Sequence, residues 1–483
     1  MSAARRLAAL VGALLLFRIA SAAFVVFQPG YTDAYYYANV AKRLAAGQGL
    51  TADFIWNFIE ATGPLPVPSH RFWMPLATVL QAAGIKGLPF LDAFRGAQAS
   101  EILVACAIPV VAYLAARSLG ASANGALVAA ALAGLGGAFA PGWVSLDAFA
   151  PAAVIGTVFF LAFRRAAAGD LRFGVLAGLA VGLLFLARAE GALFGLALLF
   201  LLRSPASRRA GVAGLAIALA IGLGWLARDQ ALGSAPDLFA RSALLVRYED
   251  FFALAGPPAP SLDELLAPKP AALLTNAVTF AFAFGLLLVP GLARASWTPL
   301  RRRPDIRAFS GLLVLVYLVE SLLFTLHSTR GSYFHSLAAF VPFGVALAVV
   351  GTNDVLGTVE RRRVAAAGGL AAAAIISAFA LVQWDASFGP PYRERVAVIS
   401  ALPPGPFYAI DAAAWRWIAD RPVLVTPSGG LCGAPLGADT LVLEPAHFSA
   451  YSAIYEGSRP SAAVGAIRVF PVRFPPLSAC GPQ

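Results

Sequence analysis

The feature that most constrains this chain is the recurrence of apolar runs, most of them near bilayer length, separated by short loops in which Arg comes in pairs and triplets. The runs cover approximately residues 7–27, 96–116, 123–140, 148–163, 173–187, 191–202, 210–227, 272–292, 308–326, 336–350 and 364–382. A straight helix needs about 20 apolar residues to cross the hydrocarbon core. Several runs are shorter, so their boundaries are soft, and the pair flanking Arg188 also reads as a bent or re-entrant arrangement. Of the 483 residues 59% are hydrophobic and 13% charged, against roughly 25% charged in a soluble domain. The expected fold class is an α-helical polytopic membrane protein with about 11 spans.

The net charge of +11 does not point to nucleic acid, because of where the charge sits. Arg5-Arg6, Arg164-Arg165, Arg208-Arg209, Arg301 to Arg303 and Arg361 to Arg363 all lie in short loops or at the ends of apolar runs. That is the positive-inside pattern, which sets orientation. With the N-terminus cytoplasmic, every one of these clusters is cytoplasmic. Segments 28–95, 141–147, 188–190, 228–271 and 327–335 and the tail then face outward. The expected location is the inner (plasma) membrane, multi-pass, with an extracytoplasmic C-terminal region. Arg5-Arg6 before an apolar run and Ile19-Ala20-Ser21-Ala22 also resemble a cleaved signal. Cleavage would still leave residue 28 onward outside.

Residues 1–382 are expected to form the membrane domain and 383–483 a small extracytoplasmic α/β domain. In the tail, Phe407 to Ile410, Val423 to Thr426 and Leu441 to Leu443 read as short buried strands. Segments 411–419 and 447–455 read as helices between them. Cys106 falls in an apolar run, as a small filler. Cys432 and Cys480 fall in the tail, where an oxidising compartment would allow a disulfide; sequence leaves bridged and unbridged states open.

The first outward loop, 28–95, carries the sharpest pattern. Pro29-Gly30 end the first span, Thr32 offers an N-cap and Gly47 a stop. In the short helix between them, Tyr36, Val40 and Leu44 form an apolar stripe suited to a membrane surface. Asp33, Tyr36 and Tyr37 share a face. The helix dipole alone would favour an acid at position 33, but this acid stands at an outer membrane surface among aromatics that suit a sugar ring.

The loop resembles the first extracytoplasmic loop of GT-C-fold glycosyltransferases, the protein mannosyltransferase and aminoarabinose transferase superfamily. The resemblance rests on Asp33, Tyr36 and Gly47-Gln48-Gly49-Leu50, then on the Pro-containing segment from Pro68 through His70, Arg71 and Trp73 to Pro75. It continues in order through Ser145-Leu146-Asp147, the Gly-Leu-rich run ending Arg188-Ala189-Glu190-Gly191, the stretch from His327 through Arg330 to Tyr333, and Trp415 to Pro422. One departure is that the aminoarabinose transferases have Lys just before the loop Pro, where this chain has Met74. Arg71 or His70 would take over that role.

The resemblance implies a GT-C-like fold and transfer of a sugar from a polyprenyl-phosphate donor to a lipid, glycan or protein acceptor, with inversion, in a bacterial cell envelope. Asp33 would be the general base and Asp147 a second acid orienting the acceptor or a cation. Arg71, Arg188 and Arg330, with His70, would seat the lipid phosphate; Glu190 could pair with Arg188. Tyr36, Tyr37, Trp73 and Tyr333, with Trp56, could line the sugar site, although aromatics also belong at membrane interfaces. A divalent cation between Asp33 and Asp147 is a possible cofactor, but two carboxylates do not define a site. His327 and His335 show no partner at metal-ligand spacing. Rival readings are a secondary transporter, which would place charges at mid-membrane in two related halves, and a polysaccharide polymerase or ligase with Arg-rich outer loops.

Overall fold

The computed structural model describes residues 2–60, 64–232, 252, 260–426, 439–444 and 459–471. It begins with α1 (Ala3–Phe24), the loop helix α2 (Thr32–Ala45), three two-residue strands β1 (Thr51–Ala52), β2 (Phe54–Ile55) and β3 (Val67–Pro68), and α3 (Leu76–Gly87). The helical body follows: α4 (Ala93–Ala105), α5 (Ala107–Ser118), α6 (Ala123–Leu135), α7 (Phe149–Ala167), α8 (Leu171–Ala187), α9 (Gly195–Leu201), α10 (Pro205–Ala231), α11 (Lys269–Phe284), α12 (Val289–Trp297), α13 (Pro304–Leu322), α14 (Val341–Leu356) and α15 (Val359–Val398). The tail adds β4 (Phe407–Ala409), α16 (Ala412–Ala419), β5 (Val423–Leu424), β6 (Thr440–Leu443), β7 (Ala462–Val464) and β8 (Ile467–Pro471).

Among the described residues, seven helices are long and apolar enough to cross a membrane, and three shorter apolar helices accompany them. Lipid offers no hydrophobic drive between helices, so close packing holds them, and small residues allow it. A Cβ on Gly178 of α8 would stand 2.1 Å from the carbonyl oxygen of Gly214 on α10. At the centre, Phe159, Phe160, Phe194, Phe309, Phe340 and Phe343 interlock edge to face and tilted, the arrangements aromatic quadrupoles favour.

Three of the basic loops meet at one end of the bundle. Arg164 and Arg303 both donate to the carbonyl of Ser118, at 2.9 and 2.7 Å. Arg6 donates to Asn124 at 2.9 Å, just beyond that turn. The first loop and tail build the other end.

The tail does not make its sheet alone. The strand order is β2-β5-β4-β6-β8-β7, with β2, β5, β4 and β6 parallel and β8 and β7 antiparallel. Strand β2 comes from the first loop, and the expected boundary at 382/383 falls inside α15. Strands β4, β5 and β6 fall on the three short buried runs expected as strands, β7 and β8 add two that were not expected, and 412–419 is helical. Segment 447–455, Cys432 and Cys480 lie outside the described residues.

Two local expectations change. Tyr31 occupies the N-cap of α2 and no side chain caps it; Thr32 is already helical. The Tyr36–Val40 stripe faces protein, not lipid, with both residues fully buried against the loop and tail.

Candidate active site

The start of α2 is fixed by the chain around it. Gly30, at φ +100°, turns the backbone against Trp384 of α15, where a Cβ would come within 2.6 Å of the indole. Gln28 Oε1 accepts from Gly30 N–H at 2.6 Å and from the Tyr35 hydroxyl at 2.8 Å. Tyr31 then enters α2 in extended conformation, and Asp33 falls in the first turn, facing a cavity of about 1450 Å³.

Asp147, between α6 and α7, is fully buried. Its Oδ2 accepts from the Tyr31 hydroxyl at 2.8 Å and stands 3.2 Å from His335 Nδ1. Its Oδ1 accepts from Ala148 N–H at 2.5 Å. His335 is steadied by the rings of Phe149, 4.3 Å away, and Tyr31, 5.8 Å away. Asp33, Asp147 and His335 each present one ligand atom within 4.8 Å of the others. Two carboxylates and an imidazole suit a divalent cation.

The two acids titrate apart. Burial raises the Asp33 carboxyl to about 6, the Asp147 charge adds to the rise, and His335 and Arg188 oppose it. Burial would raise Asp147 too, but His335, Arg188 and the Tyr31 hydroxyl outweigh it, and its carboxyl lies below the usual range. Two neighbouring acids held apart in this way can take different roles.

Arg188 leaves α8 in extended conformation at its C-cap. Its Nη2 and Nε donate to Glu190 Oε1 at 2.7 and 3.2 Å, so much of its charge is already matched. Ser336 Oγ then lies 2.8 Å from both Glu190 and Glu320, and Ser332 Oγ is 3.0 Å from Glu320.

A second cluster in the same wall is aromatic. Trp56 and Trp73 stack at 3.8 Å with planes 5° apart, and Phe72 and Phe252 meet Trp56 at 5.8 Å. Arg71 lines the cavity beside them. Arg228, at the end of α10, donates to Ser69 O at 3.0 Å and to Asp229 at 2.8 Å. Its guanidinium lies 4.6 Å from the Trp225 ring centroid. Tyr37 joins the two clusters. Its ring stacks on His70 at 6.2 Å, while its hydroxyl feels the charges of Asp147, Asp33 and Arg188.

Of the residues expected from sequence, Asp33, Tyr37, Arg71, Trp73, Arg188, Glu190 and Arg330 line the cavity, and Asp147 contacts it through Tyr31 and His335. Three stand back from it. Tyr36 is fully buried, donates to Glu60 Oε1 at 2.6 Å and accepts the His70 N–H at 2.6 Å. His70 is fully buried at φ 63°, and burial lowers its imidazole to about 3. A neutral ring outside the cavity wall brings no charge to a phosphate, and it is the next residue, Arg71, that lines the cavity. Tyr333 is buried with its ring edge-on to Tyr317 at 5.8 Å.

Sequence reasoning missed Tyr31, His335, Glu320, Arg228 and Asp229 as site residues. His335 has no ligand near it in sequence; its partner, Asp147, arrives from another helix pair. Glu320 did carry a signal, as an acid inside an apolar run.

No protein-family model matches the chain, and no curated sequence matches it. Solved structures do. ArnT from Cupriavidus metallidurans in the apo state superposes with a TM-score of 0.59 at 14% identity, covering 100% of both chains. The same ArnT bound to undecaprenyl phosphate gives 0.57 at 13%, over 99% of each. The apo oligosaccharyltransferase of Archaeoglobus fulgidus gives 0.57 at 13% identity, over 93% of this chain and 71% of that one. Both proteins have the GT-C fold, and this chain shares that fold.

Proposed function

We propose that the chain is a membrane glycosyltransferase that moves a sugar from a polyprenyl-phosphate donor to an acceptor hydroxyl at the outer membrane face. Asp33 acts as general base and the anomeric centre is inverted. The observation that carries this reading is the placement of Asp33 in the cavity wall, beside the Asp147–His335 pair and in the same cavity as Arg71 and Trp73. Asp33, raised to about 6, is ionised at neutral pH yet basic enough to take a proton. Asp147, with both oxygens engaged, is a weak base and a firm anchor.

In this reading the acceptor oxygen attacks the anomeric carbon as Asp33 takes its proton, a contribution of typically 10²–10⁴-fold. The bond from that carbon to the phosphate oxygen breaks, and its electrons leave with the phosphate. Direct displacement inverts the centre. Arg71, in the cavity wall, meets the growing phosphate charge, with Arg228 behind it. Arg188, whose charge Glu190 matches, holds the acid cluster in place. Trp73 and Trp56 offer an aromatic face for a sugar ring. An ArnT structure bound to undecaprenyl phosphate and a complex of the Archaeoglobus enzyme with an inhibitory peptide and a dolichol-phosphate support a lipid-phosphate donor by likeness of fold. The basic loops at the opposite end of the bundle support an outward-facing cavity by the positive-inside rule.

The test is transfer from a panel of polyprenyl-phosphate sugars by the purified protein, with Asp33→Asn as the paired control. No transfer with any donor, or unimpaired transfer by that variant, overturns the reading.

A further inference from the structure

The tail reaches the catalytic loop through a polar chain that ends one residue from Asp33. Thr32 Oγ1, in the first turn of α2, donates to Asp411 Oδ1 at 3.2 Å. The second Asp411 oxygen pairs with Arg395 Nη1 at 3.1 Å. Arg395, at the end of α15, is gripped by Glu444 Oε2 from Nη2 at 2.9 Å and Nε at 3.2 Å. Glu444 Oε1 in turn accepts from the fully buried Trp415 indole at 2.8 Å. The chain is therefore rooted in the strand β6, in α15 and in α16, and its free end is Thr32.

Other ties keep α2 on α16 but lie further along. Asn39 donates to Ala413 O at 2.8 Å, and Ala412, Ala413 and Ala414 are fully buried. Asp53 is shared by Arg43 and Arg416 at 3.2 and 2.8 Å. These hold the helix axis. At the start of the helix, Tyr31 and Tyr35 are tied to Asp147 and Gln28, and Thr32–Asp411 is the tie that the tail adds to the first turn.

We infer that Asp411, held by Arg395, is a positioning residue that sets the first turn of α2 through Thr32 and so aims the Asp33 carboxylate. This rests on Asp33 being the base. Asp411 touches no reacting atom in this account; its effect passes through Thr32. Misplacing a base by about 1 Å costs on the order of 10²-fold in rate, while the donor seat at Arg71 is untouched.

Full-length Asp411→Ala and Thr32→Val proteins test this, assayed with the polyprenyl-phosphate sugar that the unaltered protein turns over. Each should lose about tenfold or more in kcat with KM for the donor within about twofold. The double variant should be no worse than the worse single, since both break one contact. Asp411→Asn keeps an oxygen for the Thr32 hydroxyl and should recover most of the rate. Asp420→Ala, which cuts the exposed tie to Lys42, should leave kcat unchanged. Hydrogen exchange needs no substrate: amides of residues 33–37 should exchange about tenfold faster in Asp411→Ala, while those of 42–45 do not change. Unchanged exchange at 33–37, or kcat retained in both single variants, overturns the inference. If Asp33→Asn keeps its activity, the base assignment fails instead, and hydrogen exchange still reports whether Asp411 holds the helix start.

Discussion

The two clusters in the cavity wall use their side chains in opposite ways. Around Asp33 and Asp147, nearly every polar group already has a protein partner: Tyr31 and His335 on Asp147, Arg188 on Glu190, Ser336 between Glu190 and Glu320. Around Trp56 and Trp73 the wall is mostly ring surface, with Arg71 at its margin. A pre-bonded cluster does not reorganise when charge moves, which suits the chemical step. An aromatic wall with cations suits holding a substrate. The first should therefore govern kcat and the second KM.

The largest expected break is at Asp33. Asp33→Asn should lower kcat by about 10²–10⁴-fold, with helical content and thermal midpoint retained by circular dichroism. An undiminished kcat would transfer the role to another group. Next is Asp147→Asn, which loosens Tyr31 and His335 together; kcat should fall about tenfold to a hundredfold, with donor KM little changed. A rise in KM alone would place Asp147 in binding.

The pH profile sharpens the contrast. A base must be unprotonated, so kcat/KM should fall about tenfold per unit as pH drops below about 6. Glu60, raised by burial to about 7, stands behind Tyr36 in the aromatic cluster. Glu60→Gln should leave the limb near 6; a limb that moves with this variant would mean Glu60, not Asp33, is being titrated.

For the aromatic cluster, Arg71→Ala should raise donor KM about tenfold to a hundredfold, the worth of one charge-assisted hydrogen bond of roughly 1.5–3 kcal/mol. Trp73→Ala should have the smallest effect, a few-fold in KM from loss of about 0.5–1.5 kcal/mol of stacking. Titration of a fluorescent polyprenyl phosphate would measure the first directly. A collapse of kcat in either variant would dissolve the distinction between the two clusters.

Much of this was legible in the chain, for definite reasons. Lipid imposes a strong filter, since only long apolar helices with internally bonded backbones survive in it. The runs before α2, in α4–α5 and in α15 therefore announce themselves. Buried strands 407–409 and 440–443 follow from short β-branched and aromatic runs between turn residues. Asp33, Arg71 and Arg188, all in the cavity wall, and the end of α2 sit in local patterns that a sequence displays. The stripe through Tyr36 misled because an apolar face does not say whether lipid or protein will cover it.

What the sequence determined by itself is which segments are able to cross a membrane: apolar length marks the candidate spans, and paired arginines mark one end of the bundle. What the tertiary structure decided is partnership. His335 meets Asp147, Arg228 stands beside Arg71, β2 crosses into the tail sheet, and Asp411 reaches Thr32. Those contacts join residues far apart in the chain, so their energies depend on the closed fold and leave no local period or spacing to read.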